Sequence, residues 1–501
     1  MISPIHTQPR RSGIHWNLVW GLWILMLVCV PVTSAPQVAA FLGENSVSPL
    51  ALIPLVGIAA LWFVPYFFGG GRVPSITLPF LAFIALAVVS ALAAAALPIY
   101  PFKGQDMLSR EVRAFVTIGI SLCFYWSAAV IPSADREIRA SLRAIYIGGI
   151  LMLAWSTVQA WVYLSGLQGS PLWLTNLHHV LSIRDPLANR VTGFAYEPSW
   201  LGDQLVILYL PLWLASALGR SSVFTKPRGF LSVELVLLGW GTGILLLTRS
   251  RISLLSILLV GLVIYLVGTW RAAGWLVEKA AERITAIQTH SWKRGLRAVF
   301  EAIALCGLVA GIAGGVLLAG KVDRRLRHLL TLPDLMSEIR HYYPGVVAYE
   351  VANRLAFAER VVYWADGFRV FEQYPILGVG PGNAGFFFEQ SLPDYGRGLT
   401  EIVSILRPLN STFPNVKNLW VRLLAETGVG GFSAFVLWLS LLGLAGWSVW
   451  KNGSPTRQVI GLAGMLALLA QVGEGFSLDS FALPQLWVMR GLLTAAVWRR
   501  S

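Results

Sequence analysis

Leu235–Val267 reads LVLLGWGTGILLLTRSRISLLSILLVGLVIYLV. Two long apolar runs flank the four residues Thr248–Arg251, and two of those four are arginines. A run of roughly 20 apolar residues is long enough to cross a bilayer. No water reaches the bilayer core to satisfy backbone N–H and C=O groups, so such runs fold as helices. The chain therefore turns back at a membrane surface within a few residues, and it places two cations in that turn.

The same pattern extends along the whole chain. It has 501 residues, of which 56% are hydrophobic and 13% charged, with a mean hydropathy of +0.65. A soluble domain carries roughly 25% charged residues. Apolar runs lie near 16–34, 49–68, 75–98, 113–132, 143–165, 198–219, 230–248, 251–270, 300–320, 419–449, 457–476 and 481–498. Residues 166–197 form a loop, and 321–418 form a long hydrophilic segment. These runs predict an all-α, polytopic integral membrane protein of about 12 transmembrane helices, with one long extracytoplasmic loop. Four parts are expected: 1–165 with the first five helices, 166–320 as a core bearing arginines, the loop 321–418, and 419–501 with the last three helices. Arg10–Arg11, the run after them and "VTSAP" resemble a signal peptide. The run is long for one, so an uncleaved first helix is expected.

Net charge is +14. With both termini cytoplasmic, 19 basic residues fall in cytoplasmic segments and seven in short outer loops. This is the positive-inside bias; it faces anionic lipid heads and argues against a nucleic-acid partner. Cys29, Cys123 and Cys306 each lie in an apolar run at unrelated spacings, so they are expected to be buried small side chains rather than a disulfide or metal set. Gly307, Gly311 and Gly315 have the four-residue spacing of close helix packing.

On this topology Arg190, Glu197, Arg249, Arg251 and Lys417 gather at the outer face, with Arg422 and Glu426 about a turn or two deeper. Arginines near helix ends often snorkel, and Arg422 can pair with Glu426 at i,i+4. Outer arginines nevertheless oppose the positive-inside bias, and a bound diphosphate explains them, because the planar guanidinium fork matches phosphate oxygens. The nine aspartates include no D-x-D pair, so no obvious metal site for a diphosphate is present.

The Ser-Arg of "LLLTRSRISLL", the segment "NRLAFAERVVYWADGFRVFEQYPILGVGPGN" and "VKNLWVRLLAETGVGGFSAF" resemble the O-antigen ligase and Wzy-type polysaccharide polymerase superfamily, over about Arg190 to Trp487. The resemblance implies a GT-C-like membrane glycosyltransferase. Such an enzyme moves a glycan from an undecaprenyl diphosphate carrier to an acceptor hydroxyl outside the inner membrane, without a cofactor, nucleotide sugar or metal. It also implies that Arg190 and Arg251, with Arg249 adjacent, hold the diphosphate; Arg422 is expected to assist in binding it. The ligase branch has a histidine where this chain has Lys417, next to Asn418. "FAYEPS", with Glu197, looks more like the polymerase branch.

The expected substrates are an undecaprenyl-diphosphate-linked oligosaccharide and an acceptor glycan, with membrane lipids and other polysaccharide-assembly proteins as partners. The expected catalytic residues are Arg190, Glu197 and Lys417, with Glu197 taking the acceptor's proton; Asn418 and Glu426 support them. A helix over Val351–Gln373 is expected to be amphipathic through Leu355, Ala358, Val362, Ala365 and Phe368 and to lie over the outer mouth. "GVGPGN" reads as a turn. His178, His179, His328 and His341 are weak candidates, and "NST" at Asn410 carries no meaning in a bacterial setting. The leading expectation is a polymerase of lipid-linked repeat units. A ligase is the near rival, and a lipid-linked sugar transporter the distant one. A transporter needs ionisable groups near the midplane, and Asp203, Glu234, Glu474 and Arg490 are the only approach to that.

Overall fold

The computed structural model describes residues 13–42, 47–166, 171–187, 189–224, 232–283, 290–322, 337, 341, 343–354, 357–407 and 409–498. Among them the backbone is helical, and only isolated bridges occur, Ser34 with Ser48 and Ser182 and Phe102 with Gln105. The first half comprises α1 (Ile14–Cys29), α2 (Pro36–Phe41), α3 (Leu52–Phe68), α4 (Leu78–Ala94), α5 (Met107–Val130), α6 (Asp135–Leu164), α7 (Leu172–His178) and α8 (Pro198–Leu218). The second half comprises α9 (Val233–Thr248), α10 (Arg251–Arg283), α11 (His290–Val322), α12 (Pro344–Arg354), α13 (Ala358–Gln373), α14 (Thr400–Leu406), α15 (Leu419–Asn452), α16 (Pro455–Glu474) and α17 (Pro484–Trp498). Seven of the described helices, α4, α5, α6, α8, α10, α15 and α16, are long and apolar enough to cross a membrane, and α1, α3 and α9 are shorter apolar helices. Leu92, Leu151, Trp161, Leu255, Leu258 and Leu444 are exposed on them, as lipid-facing side chains are.

Two prolines set local geometry. Pro65 and Pro211 lack the N–H that would bond four residues back, and their rings crowd that carbonyl. A π-helical turn precedes each, Ala59–Phe63 in α3 and Leu205–Tyr209 in α8. Widening the helix by one residue absorbs the clash without ending it. The bundle core is aromatic: Phe80 stacks on Trp438 at 4.4 Å, and Trp438 on Trp487 at 6.0 Å. Such pairs add about 0.5–1.5 kcal/mol each beyond area burial. Tyr125 ties three helices, sharing hydrogen bonds with Thr77 and Thr494 at 2.9 Å each.

The connection between α11 and α15 is anchored by a break in α15. Gly428 has φ 63° and ψ −171°, a conformation open to glycine alone at little cost. The break frees backbone groups that the segment after α13 satisfies. Val379 N–H donates to Ala425 O and Gly380 N–H to Glu426 O, both at 3.0 Å, and Val429 N–H donates to Pro375 O at 2.9 Å. The Ser90 hydroxyl donates to Glu426 O at 2.7 Å and also to Leu377 O. "GVGPGN" is a run of turns with positive φ at Gly378, Gly380 and Gly382, closed by Asn383 donating to Glu111 at 2.8 Å.

Several expectations are corrected. The helix expected over Val351–Gln373 is two helices, α12 and α13, with Phe357 in non-helical geometry ahead of α13. The buried face of α13 is Ala358, Val362, Tyr363, Asp366, Gly367 and Val370, while Phe368 is exposed. A polar aspartate thus lies inside the expected apolar stripe, because α13 packs directly against Val416 and Val421 through Gly367. Cys306 is exposed. Among the described residues, nothing lies within 4 Å of where a Gly311 Cβ would stand. Leu355 and His328 lie outside the described residues, as do Arg10, Arg11, Lys226, Arg228, Arg499 and Arg500.

A methyl group on Gly428 would stand 2.1 Å from Ile376 O. Gly428→Ala should cost about 2 kcal/mol or more through strain and clash, seen as a lower melting temperature in detergent. Gly430→Ala, whose added carbon meets nothing nearer than 3.9 Å, should melt like the parent protein.

Candidate active site

Arg190 is placed by its neighbours in sequence. Three residues on, Gly193 has φ +58° and no room for a Cβ, which would stand 2.8 Å from Ser156 Oγ. Gln159 of α6 holds this turn: its Oε1 accepts from Thr192 N at 3.1 Å and Gly193 N at 2.8 Å, and its Nε2 donates to Gly193 O at 3.2 Å. The side chain of Arg190 then reaches the end of α9. Its Nε donates to Thr248 O at 2.9 Å and its Nη2 to Arg249 O at 3.4 Å.

Arg249 caps α9 in the left-handed region, with φ 51°, and its guanidinium donates to Tyr163 Oη at 2.5 Å. Arg251 opens α10 and is exposed. Burial draws the Arg190 guanidinium below the ordinary arginine pKa; Glu197 opposes this, and Arg251, Arg249 and Arg184 add to it. Arginine stays charged regardless. Arg184, Arg190, Arg249 and Arg251 therefore form one cationic cluster, and α8 and α10 both begin beside it. The positive ends of those helices add to the field.

Glu197 is the N-cap residue of α8, but its side chain makes no capping hydrogen bond. Its carboxylate instead accepts from Arg184 at 3.2 Å and from the Ser199 hydroxyl at 3.1 Å, and Arg184 also lies over the Tyr196 ring at 4.9 Å. Among the described residues, Glu197 is the carboxylate that pairs directly with this cluster, through Arg184. Fixed guanidiniums grouped in this way have the chemistry to bind an anion.

Lys417, Asn418, Arg422 and Glu426 belong to a second group at the start of α15. Lys417 adopts φ 52°; its N–H donates to Asp479 at 3.2 Å, its ammonium pairs with Glu401, and it lies 4.3 Å from the Tyr363 ring centre. Tyr363 donates to the same Glu401 oxygen at 2.9 Å. Burial alone would raise the Glu401 carboxyl, but Lys417 and Tyr363 bring it below its usual value. The Lys417 ammonium is held between Glu401 and the Tyr363 ring. Asn418 is the N-cap of α15, accepting from Trp420 N at 2.9 Å and Val421 N at 3.1 Å. Arg422 pairs with Glu426 at 3.0 Å and donates to Asp479 O at 2.8 Å. The plainer i,i+4 reading of Arg422 is therefore the geometry present, and its guanidinium is already engaged.

The sequence reading gave no site role to Arg184, Glu401, Tyr363 or Asp479. Only Arg184 carried a signal, as one more outer-face arginine; the others become neighbours through the docking of the 374–383 segment on α15. Asp203, Glu474 and Arg490, which looked like scattered exceptions, form one buried group. Asp203 accepts from Gln485 at 2.6 Å, and Arg490 donates to Gln471. Glu234 stands apart, accepting from Val223 N at 3.1 Å.

The helices define a polytopic membrane protein with a cationic site at one end of its bundle. Residues 235–436 match the family model described as O-antigen ligase. That match places this region, from α9 through the TRSR turn to the break in α15, in the O-antigen ligase/polymerase superfamily, as the motifs implied. No curated protein matches the chain.

Of the histidines, His178 is buried and stacks parallel to Trp155, whose Nε1 donates to its Nδ1 at 3.2 Å. Burial, helped by His179, pushes its pKa down to about 4. It is neutral at ordinary pH and holds the Gln159 turn in place. His179 pairs with Asp185 at 2.7 Å. Because the unfolded chain binds this proton at about pH 6.5 and the folded one only near 4, stability is kept above 6.5 and lost as pH falls toward 4. The expected loss is on the order of 3 kcal/mol. His178→Gln should flatten that part of the stability–pH curve in detergent; an unchanged slope would remove His178 from it.

Proposed function

We propose that this chain is a membrane glycan polymerase that joins lipid-diphosphate-linked oligosaccharide repeat units on the extracytoplasmic face of the bacterial inner membrane. The family match supports a glycosyltransferase-like enzyme acting on lipid-linked glycans. The observation that carries the lipid-diphosphate part of this reading is the arginine cluster of Arg184, Arg190, Arg249 and Arg251. In this reading the loop end of the bundle faces outward and both termini face the cytoplasm.

The reaction is a displacement at the anomeric carbon. The acceptor hydroxyl attacks, the bond to the diphosphate oxygen breaks, and charge grows on the departing diphosphate. Arg190 and Arg251, with Arg249, stabilise that charge; a donor aimed at developing charge is worth about 10²–10³ in rate. Backbone carbonyls fix Arg190 before the substrate arrives, so little reorganisation is needed. Arg422, tied to Glu426 and Asp479, supports the position of Lys417 rather than binding phosphate itself. Lys417 holds positive charge at the mouth beside Tyr363. Arg184 and Ser199 each hold one oxygen of Glu197, which positions the carboxylate and leaves it acceptor capacity for the attacking hydroxyl's proton.

The ligase reading, transfer of a finished glycan to lipid A core or another acceptor, keeps the same diphosphate site and is favoured by the description of the matched family. The transporter reading has less support, since most charged groups lie at the helix ends. Surface-glycan gel profiles of a deletion strain separate all three. Single repeat units on the acceptor indicate a polymerase, long chains left on the carrier indicate a ligase, and units trapped in the cytoplasm indicate a transporter. Arg190→Ala and Arg251→Ala should each abolish long chains at normal membrane protein levels. Arg190→Lys should restore little, because lysine cannot offer the fork. Normal chain lengths in both alanine variants would end the diphosphate assignment.

A further inference from the structure

In its last turns α6 carries Ser156, Gln159 and Tyr163, spaced three and four residues apart and so on one face of the helix. All three meet the chain around the arginines. The Arg190 turn lies against Ser156 at Gly193, where there is no room for a Cβ. Gln159 is buried. Besides its bonds to the backbone of Thr192 and Gly193, its Nε2 reaches Thr192 Oγ1 and His178 Nδ1, both at 3.4 Å. One helical turn on, Tyr163 Oη accepts from Arg249 Nη2, and the Tyr163 ring centre is 5.5 Å from the same guanidinium. The two arms then join. Val191 N–H donates to Leu247 O at 3.3 Å, and Arg190 donates to the carbonyls of Thr248 and Arg249. Hydrogen bonds therefore close a ring through α6, the Arg190 turn and the end of α9, with Arg190 on one arm and Arg249 on the other.

The packing of α6 on α9 does not require that ring. The same two helices are tied further from the arginines, where Trp240 Nε1 donates to Thr157 Oγ1 at 2.8 Å. Arg249 closes α9 with φ 51°, the left-handed position where glycine is the usual residue and a side chain adds strain. It is also exposed, and fixing a long exposed side chain costs rotamer entropy. An arginine kept in such a place, with its guanidinium tied to a tyrosine hydroxyl, is held for what it offers outward. A guanidinium fork bonds two oxygens of one phosphoryl group. A diphosphate has two phosphoryl groups joined through one oxygen, so it can engage two forks whose spacing is fixed beforehand. A monophosphate engages one.

We propose that α6 sets the spacing of Arg190 and Arg249 to that of two linked phosphoryl groups, and that Gln159 and Tyr163 are positioning residues that make the site select a diphosphate over a monophosphate. The inference rests on the lipid-diphosphate reading above. Gln159 acts through the Arg190 turn and Tyr163 through Arg249, and neither need touch the lipid. Selection of this kind matters at a membrane surface. Phospholipid headgroups joined by a single phosphoryl group surround the site and would occupy a looser set of arginines.

The test uses the full-length protein in detergent and measures equilibrium binding of undecaprenyl diphosphate and undecaprenyl monophosphate, with the melting temperature alongside. Tyr163→Phe keeps the ring and loses the hydroxyl. It should weaken the diphosphate about 3–10-fold, the effect of freeing one long side chain that the ligand must order again. The monophosphate should stay within twofold and the melting temperature should not change. Gln159→Glu keeps oxygens for the Thr192 and Gly193 N–H groups but has no N–H for Gly193 O, and it should lower the preference for diphosphate at least as much. If it does not accumulate in the membrane, Tyr163→Phe decides alone. Thr157→Ala cuts the other tie between the same helices and should leave the preference within twofold of the parent. An unchanged preference in Tyr163→Phe, or one that Thr157→Ala lowers equally, overturns the positioning role. A parent protein that binds the two lipids alike overturns the diphosphate reading beneath it, a separate failure.

Discussion

Val379 and Gly380 donate their backbone N–H groups to carbonyls that a break in α15 leaves free, and the placement of the segment between α11 and α15 follows from that exchange. A helix inside a membrane cannot leave its backbone groups unsatisfied, so the break at Gly428 is tolerated only because another segment fills it. The filling segment must bring bare backbone close, which is why Gly378 sits where a Cβ would meet Glu426 C at 2.5 Å. With that contact made, α13 lies against the start of α15, and Tyr363, Glu401 and Lys417 come together across three separate stretches of chain. The two sequence signatures that seemed independent, one around "GVGPGN" and one around "ETGVGG", are the two halves of a single joint.

The arginine cluster is built by the same economy of backbone contacts. Arg190 is held by carbonyls at the end of α9, and the turn that carries it is held by Gln159, itself beside the neutral His178. None of these supports carries charge. Glu197 offsets part of the cluster's charge and is held by Arg184 and Ser199. At the start of α15 the cations are paired directly instead, Lys417 with Glu401 and Arg422 with Glu426.

Much of the fold was legible because hydropathy in a membrane protein is a direct reading of its solvent. The helices begin and end within a few residues of the apolar runs, apart from α5, α6, α10 and α11, which extend past the apolar part into charged sequence. The cluster of Arg190, Arg249 and Arg251 was legible for an electrostatic reason, since the expected topology puts each on the side that the positive-inside bias disfavours. Phe357 and the break between α12 and α13 were not legible, because the periodicity runs on across residues that tertiary packing divides. Asp203, Glu474 and Arg490 were visible as charges in apolar runs. Their meeting was not, because it depends on Gly202 and Gly473 drawing α8 and α16 onto Ser253 and Ser256 of α10, a contact between distant parts of the chain.

The central claim is that the arginine cluster holds a lipid-linked diphosphate. Equilibrium binding of undecaprenyl diphosphate to the purified protein in detergent, set beside undecaprenyl monophosphate, tests it most directly. The account predicts that the diphosphate binds more tightly, and that Arg190→Ala and Arg251→Ala each weaken it about 10-fold or more, as the loss of a charge-assisted fork should. Equal affinity for both lipids, unchanged in both variants, would contradict it.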